Sequence, residues 1–403
     1  MSPSAPSSTG TGSSHLMPTY PVPAATFVRG LGSRLYDADG KAYLDFLGGL
    51  AVTSLGHSHP AVADAVSTQA RTLLHVSNLY ANAVAPDVAR TIDRLLDAGE
   101  GRVFFCNSGA EANECAIKLA RKWGRAPGLR YTVVSALNSF HGRTLATLHA
   151  TGQPAKHAAF HPLPGGFRHV PYGDLAAMDA ALDPSEVIAV LLEPLQGETG
   201  VNEAPTAYFA GVQDLCRERG ILLIIDEVQT GFGRTGRWFG FQRFGLQPDV
   251  VTMAKALGNG FPVGACWARA DIASAFVAGD HGTTFGGQPI AMAAAQAVLR
   301  VMEEEDVPAL AERSGDRLRS GLLALPGVAS VRGSGLLLAA ELGSAVSTSV
   351  TMLALARGLV VNAVTPTAIR LAPSLLVTEA EIDEALAILA GALSDAAIAG
   401  APA

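Results

Sequence analysis

The sequence predicts an α/β protein, with a large part on a mainly parallel central sheet and a smaller α+β part assembled from both chain ends. Three observations predict it. Short apolar runs alternate with helical patterns from about residue 100 to 255. Those runs are rich in branched residues with little polar alternation, as strands buried on both faces require. The flanking segments carry a different pattern of turns, short strands and charged helices, which sets them apart from the central layer.

Taken in order, residues 1–18 are mostly Ser, Pro, Thr and Gly and read as a disordered leader. Residues 19–70 place the turn signal Asp37-Ala38-Asp39-Gly40 between strand-like pieces and form the N-terminal part of the small domain. Residues 71–300 form the large domain. Its strands are expected at Arg102–Cys106, Tyr131–Ser135, Val187–Leu192, Ile221–Ile225 and Val250–Met253. Between them, Tyr208–Arg219 sets Tyr208, Val212, Leu215 and Cys216 on one helical face and stops at Gly220, which suits a left-handed cap. Residues 301–403 return to the small domain through charged helices, a glycine-rich strand region at Val331–Leu342 and a closing helix. That helix opens on a Thr378 and Glu381 capping box and aligns Ile382, Leu386, Leu389 and Leu393. No internal repeat is visible.

Composition narrows the function. The 403 residues are 49% hydrophobic and 16% charged, which excludes a disordered chain. A net charge of −7 with no basic run leaves no electrostatic footprint for nucleic acid or an anionic membrane, so small molecules are the expected partners. The four cysteines, Cys106, Cys115, Cys216 and Cys266, form no CxxC pair and read as reduced, buried thiols. No apolar run reaches the roughly 18–20 residues of a membrane span. With neither a secretory signal nor an Arg-rich transit pattern, a cytoplasmic protein is expected.

Chemistry concentrates in three places. Cys106-Asn107-Ser108-Gly109-Ala110-Glu111 runs from a strand into a helix whose inward face is Ala112, Cys115, Ala116, Leu119 and Ala120. Ser108 and Glu111 have capping-box spacing, and Gly109 lets a ligand approach free N–H groups at the positive helix end. This fits an anion site, above all for phosphate, although an ordinary capped helix with nothing bound has the same pattern. Asp226 closes an apolar strand, where a carboxylate needs a cationic or proton-donating partner, or else serves as an acidic cap on the next turn. Lys255 follows another strand among small and apolar residues. Desolvation there could free its amine for imine formation, the alternative being a snorkelling surface lysine. Gly231–Gly236 matches GxGxxG but lies off the end of its strand and opens no helix, which argues against a dinucleotide site. His57 and His59 lack companions at ligand spacing, and no metal is expected.

Pyridoxal phosphate would use all three places: a helix N-terminus for its phosphate, an amine for its aldehyde and a carboxylate for its ring nitrogen. At residues 19–400 the chain resembles the class III pyridoxal-phosphate aminotransferases of fold type I. The matching stretches are GHSHP, NSGAEANECAIKLARKW, SFHGRT, EPLQGETG, DEVQTGFGRTG, AKALGNGFPVGA, HGTTFGGQP and RLAPSLLVTEAEID. The resemblance implies that Lys255 holds the cofactor covalently and shuttles a proton, and that Asp226 pairs with the ring nitrogen. It implies further that Ser108, Gly109, Ala110, Phe140, Glu227, Val228 and Gln229 line the cofactor site, with Thr284 entering from the second subunit of a homodimer. Arg143 and Arg370 would be carboxylate clamps, with Glu198 neutralising Arg370 when it is idle and Thr283 beside the substrate. The implied reaction moves the δ-amino group of N2-acetylornithine to 2-oxoglutarate. Another ω-amino donor, among them ornithine, 4-aminobutyrate, succinylornithine or succinyl-diaminopimelate, is the alternative, and a nucleotide-dependent oxidoreductase built on Gly231–Gly236 a remote one. Two positions depart from the family pattern: Gln288 stands where an asparagine is common, and Leu50 where ornithine aminotransferases carry a tyrosine.

Overall fold

The central strands form because each side of them meets a helix layer. The structure, a computed structural model, describes residues 15–125 and 128–399. Its strands are β1 (Phe27–Leu31), β2 (Arg34–Asp37), β3 (Ala42–Asp45), β4 (Gly101–Cys106), β5 (Thr132–Ala136), β6 (Phe167–Val170), β7 (Val187–Leu192), β8 (Leu195–Gln196) and β9 (Asn202–Glu203). The second half adds β10 (Leu222–Asp226), β11 (Val250–Met253), β12 (Gly264–Arg269), β13 (Val328–Ser334), β14 (Leu337–Leu342), β15 (Leu359–Val360), β16 (Asn362–Thr365) and β17 (Ala368–Leu371).

The main sheet has seven strands in the order β4-β12-β11-β10-β7-β5-β6. Only β12 runs against its neighbours, pairing antiparallel with both β11 and β4. Alternate residues serve opposite layers: Leu222 and Ile224 join the apolar cluster under the helix Gly109–Trp123, while Leu223 and Ile225 join the cluster under the helix Thr206–Arg219. Burying an apolar side chain contributes roughly 1.5–3 kcal/mol, and all six residues of β7 are buried. That explains why β7 and β11 fall where the apolar runs predict. Ile221 does not join β10: Gly220 turns left-handed at φ 59, and the Ile221 N–H closes the helix by donating to the Cys216 carbonyl at 2.9 Å.

Strands from the two chain ends form two further four-stranded sheets beside the main one. One has the order β1-β2-β3-β15 and the other β13-β14-β17-β16. The ends meet where β3 pairs parallel with β15, Leu44 opposite Leu359. The closing helix Glu379–Ala399 begins at the expected capping box, with the Glu381 N–H donating to Thr378 Oγ1 at 3.3 Å and Glu381 Oε2 accepting from the Thr378 N–H at 2.9 Å. All four cysteines are buried and free. Of the expected leader, residues 1–14 lie outside the described residues. Among the described residues no helix is long and apolar enough to cross a membrane.

The GxGxxG segment is a structural junction. Gly233 and Gly236 take φ of 88° and 86°, and a Cβ on Gly233 would meet Val307 Cγ1 at 2.8 Å. Between them the buried Arg234 donates to the carbonyls of Leu336 (3.1 Å) and Pro373 (2.5 Å) and to Ser54 Oγ (3.1 Å), tying the large part to both ends of the chain. This use of the loop leaves the remote nucleotide reading without support.

Candidate active site

Parallel strands point their carboxyl ends the same way, and loops leaving those ends converge. Here they enclose a cavity of about 380 Å³. Ser108, Gly109 and Ala110 follow β4, Phe140 to Arg143 follow β5, Glu193 follows β7, Asp226 ends β10 with Val228 and Gln229 just beyond it, and Lys255 follows β11.

The helix Gly109–Trp123 presents its N-terminus to this cavity. Ser108 Oγ accepts the Glu111 N–H at 3.2 Å, and the Glu111 carboxylate reaches back to the Asn107 N–H at 2.5 Å, one residue earlier than the expected box. The first N–H groups of a helix have no intrahelical acceptor, so those of Gly109 and Ala110 stay available for an anion. A Cβ on Gly109 would lie 2.7 Å from Val228 Cγ1 and one on Gly142 would lie 2.9 Å from the Ala110 Cβ, so both positions need glycine for the loops to close.

Asp226 is buried and heavily constrained. Its Oδ2 accepts from Asn113 Nδ2 at 2.7 Å and faces His141 Nδ1 at 2.8 Å, while Oδ1 accepts the Val228 N–H at 3.0 Å. Asn113 is itself fixed by Thr252 Oγ1, which donates to its Oδ1 at 2.8 Å, and by the His141 carbonyl at 2.8 Å. His141 Nε2 is buried without a partner. Three hydrogen-bonding groups thus aim one carboxylate at the cavity.

Lys255 sits at φ 44, a left-handed conformation that a non-glycine residue holds only when its surroundings impose it. Burial holds its amine below the ordinary lysine range, opposed by Glu198 and assisted by the Arg370 charge. Arg370 is buried, its Nη1 donating to Glu198 Oε1 at 2.6 Å and to the Gly197 carbonyl at 3.0 Å, while its Nη2 has no partner. Glu198 stays below the usual carboxylate range: burial pushes it upward, but the Arg370 and Lys255 charges prevail. Gln229 bridges the pair, donating to Glu198 Oε1 at 3.2 Å and accepting from Arg370 Nη1 at 3.4 Å. Glu193 also lines the cavity; burial, with Asp226 adding to it, pushes its carboxyl well above the normal range, and its Oε2 accepts the Phe140 N–H at 3.1 Å.

Most expected site residues therefore meet in one place, with exceptions. Glu227 faces away: its carboxylate accepts from Thr230 Oγ1 (2.5 Å) and the N–H groups of Gly240 (2.9 Å) and Phe241 (2.7 Å), so it holds a loop rather than lining the cavity. Thr283 touches the site only through Asn107 Nδ2, 3.3 Å from its Oγ1, and Thr284 is exposed outside its own chain's cavity. Leu50 is 41% exposed and Val52 lines the cavity instead. Gln288 precedes the helix Pro289–Glu304 without a side-chain capping bond, and His57 Nε2 lies 2.7 Å from Asp45 Oδ2. Sequence reasoning missed Asn113, His141 and Glu193. Their signals were faint: one polar residue on an otherwise apolar helix face, a histidine beside Phe140, and an acid just after β7.

A cofactor with a phosphate, an aldehyde and a basic ring nitrogen fits this donor set. The two glycine-dependent contacts form a cradle at the helix end, the desolvated amine and the braced carboxylate share one cavity, and Arg370 keeps an unpartnered donor.

Comparisons agree with this geometry. A family model described as aminotransferase class-III matches residues 17–393. The acetylornithine aminotransferase of Corynebacterium efficiens is 47% identical over 388 residues, covering 94% of this chain and 95% of that protein. That of Mycobacterium tuberculosis is 48% identical over 390 residues, covering 96% of each. Among solved structures, the ornithine aminotransferase of Toxoplasma gondii superposes with a TM-score of 0.90 at 32% identity, covering 96% of this chain and 93% of that one.

Proposed function

We infer the function from one premise: this chain belongs to the class-III aminotransferase family, whose model spans residues 17–393. It is an aminotransferase of the fold type I architecture. We propose that it moves the δ-amino group of N2-acetyl-L-ornithine to 2-oxoglutarate, giving N-acetylglutamate 5-semialdehyde and glutamate in arginine biosynthesis. Relatives of that activity at 46–48% identity over most of the chain support this donor. The observation that carries a donor with a single carboxylate is the Arg370–Glu198 pair, 2.6 Å apart, at a cavity that Glu198 lines together with Arg143, which has no ion-pair partner among the described residues. A donor with one carboxylate uses Arg143 and leaves Arg370 neutralised; a dicarboxylate displaces Glu198 and takes both guanidinium forks.

The cofactor of this reading is pyridoxal 5'-phosphate. When bound, it supplies an aldehyde for amino groups and a protonated ring that accepts the electron pair left as a carbon–hydrogen bond breaks. Gly109 and Ala110 would hold its phosphate, Phe140 and Val228 would pack on its ring, and Gln229 would lie near its hydroxyl. Asp226, braced by Asn113 and His141, would keep the ring nitrogen protonated. The Lys255 amine, held below the ordinary lysine range by burial, would hold the cofactor and afterwards take and return the proton at Nζ. Glu193 would fix the Phe140 loop as a neutral acid.

The protein works in the cytoplasm as a homodimer in this reading, with residues 19–70 and 301–403 acting as one unit against 71–300. Thr284, exposed beyond its own cavity, would complete the partner's site. Mixing inactive Lys255→Ala and Thr284→Ala chains should restore activity in heterodimers, and verified heterodimers without activity would refute shared sites. The donor is tested by comparing kcat/KM across N2-acetylornithine, ornithine, succinylornithine, succinyl-diaminopimelate and 4-aminobutyrate. Any of the others used as well as N2-acetylornithine overturns the named substrate and leaves the family standing.

A further inference from the structure

We propose that Lys156 is a second carboxylate-binding residue beside Arg143, and that the two cations together select donors whose far end carries a net negative charge. The inference rests on the donor reading above and extends it to a residue no motif singled out. Arg143 lines the cavity, its Cζ 5.6 Å from the centroid of the Phe140 ring. Lys156 Nζ lies 5.2 Å from the same centroid. Neither side chain has a hydrogen-bond or ion-pair partner among the described residues. Each cation lies within reach of the Phe140 ring, and the Arg143 charge disfavours the Lys156 cation, a conflict that an anion bound by both removes. Arg370 shows the contrast, since Glu198 already neutralises it.

Lys156 is not a loosely tethered surface residue. It ends the short turn Pro154–Lys156, which is pinned to the Phe140 loop where the Gly152 N–H donates to Ser139 Oγ (2.9 Å) and Gln153 Nε2 donates to the Ser139 carbonyl (2.8 Å). The side chain is half-buried. Burial and then the Arg143 charge hold its amine below the ordinary lysine range, while Glu198 opposes them. An incoming carboxylate would reverse that shift.

The selection follows from charge. At its α-carbon N2-acetylornithine carries a carboxylate and a neutral amide, a net charge of −1, whereas ornithine carries a carboxylate and an ammonium that cancel. Two cations attract the first and repel the ammonium of the second, discrimination that needs no group to touch the acetyl.

The test compares wild type, Lys156→Gln and Lys156→Arg on N2-acetylornithine, ornithine and N-acetylputrescine, which is the acetylated donor without its carboxylate. Lys156→Gln should raise KM for N2-acetylornithine by about tenfold with less than a twofold change in kcat, narrow its preference over ornithine, and change N-acetylputrescine by less than twofold. Lys156→Arg should restore the wild-type KM. Added salt should weaken N2-acetylornithine more in the wild type than in Lys156→Gln. Equal losses on N2-acetylornithine and N-acetylputrescine would reduce Lys156 to a support for Phe140 and overturn the proposal. So would an unchanged KM for N2-acetylornithine in Lys156→Gln when the wild type prefers that donor. A wild-type enzyme with no such preference overturns this inference and the donor reading together.

Discussion

Replacing Gly109 with alanine probes the phosphate cradle with a single methyl group. The added Cβ would lie 2.7 Å from Val228 Cγ1 and 2.9 Å from its Cγ2. Carbon atoms settle at about 3.5–4.0 Å, so one side must retreat by roughly 1 Å. Val228 cannot do so freely, because its N–H is bonded to Asp226 Oδ1 at 3.0 Å and a shift there loosens the carboxylate as well. Overpacking of this kind typically costs about 1–3 kcal/mol, offset by at most about 1 kcal/mol from alanine's better helix propensity. With about 2 kcal/mol of strain remaining and half of it falling on the bound state, affinity for pyridoxal 5'-phosphate drops about fivefold. The assay is a titration of stripped enzyme with the cofactor, followed by quenching of tryptophan fluorescence, with the melting temperature of the stripped enzyme measured alongside. Adding Val228→Ala removes both clashing methyls and should recover most of the affinity. Wild-type affinity in Gly109→Ala, or a double variant no better than the single one, would refute the reasoning.

Lys255→Ala should abolish covalent attachment: borohydride reduction and peptide mapping of the wild type should find the cofactor on Lys255, and label on any other lysine refutes the role. Asp226→Ala should lose at least about a hundredfold in kcat in cofactor-saturated enzyme with a smaller change in donor KM, because a lost ring proton affects the transition state more than binding; near-normal turnover would count against it. Burial raises Glu227 from 4.5 to about 7 despite its hydrogen bonds. A raised carboxyl gives its full stability below the unfolded value and loses it as pH rises through the folded one. Stability should therefore fall by up to about 3 kcal/mol between pH 4.5 and 7 from this group. Glu227→Gln should flatten, though not abolish, that slope in melting temperature, since Glu193 contributes with the same sign; an unchanged slope would show that Glu227 is ionised throughout.

The parts of the fold legible in the sequence are those governed by neighbours along the chain. Val187–Leu192 and Val250–Met253 declare themselves because both faces of each strand are apolar, and Gly220 because only one backbone conformation ends that helix cleanly. Sheet order was not legible: nothing in β12 announces that it inserts antiparallel between β4 and β11. The site divides the same way. Asp226 and Lys255 stand out because a charge at the end of an apolar run needs a reason. Asn113 and His141 acquire meaning only when the helix after β4 and the loop after β5 meet over β10, and Glu227 looks like a site residue until Gly240 and Phe241 are seen to claim its carboxylate.

The pairing of β3 with β15 sets a timetable for synthesis. A ribosome adds about 5–20 residues per second, so β3 emerges with one edge bare and waits roughly 15–60 s for the strand that covers it. Arg234 waits as well, since two of its three acceptors, the carbonyls of Leu336 and Pro373, are translated after it. The first segment made is thus among the last to be secured. A chain that stops before residue 359 would keep the central sheet but leave an open strand edge and a buried guanidinium short of a partner, the kind of surface that chaperones bind and proteases clear.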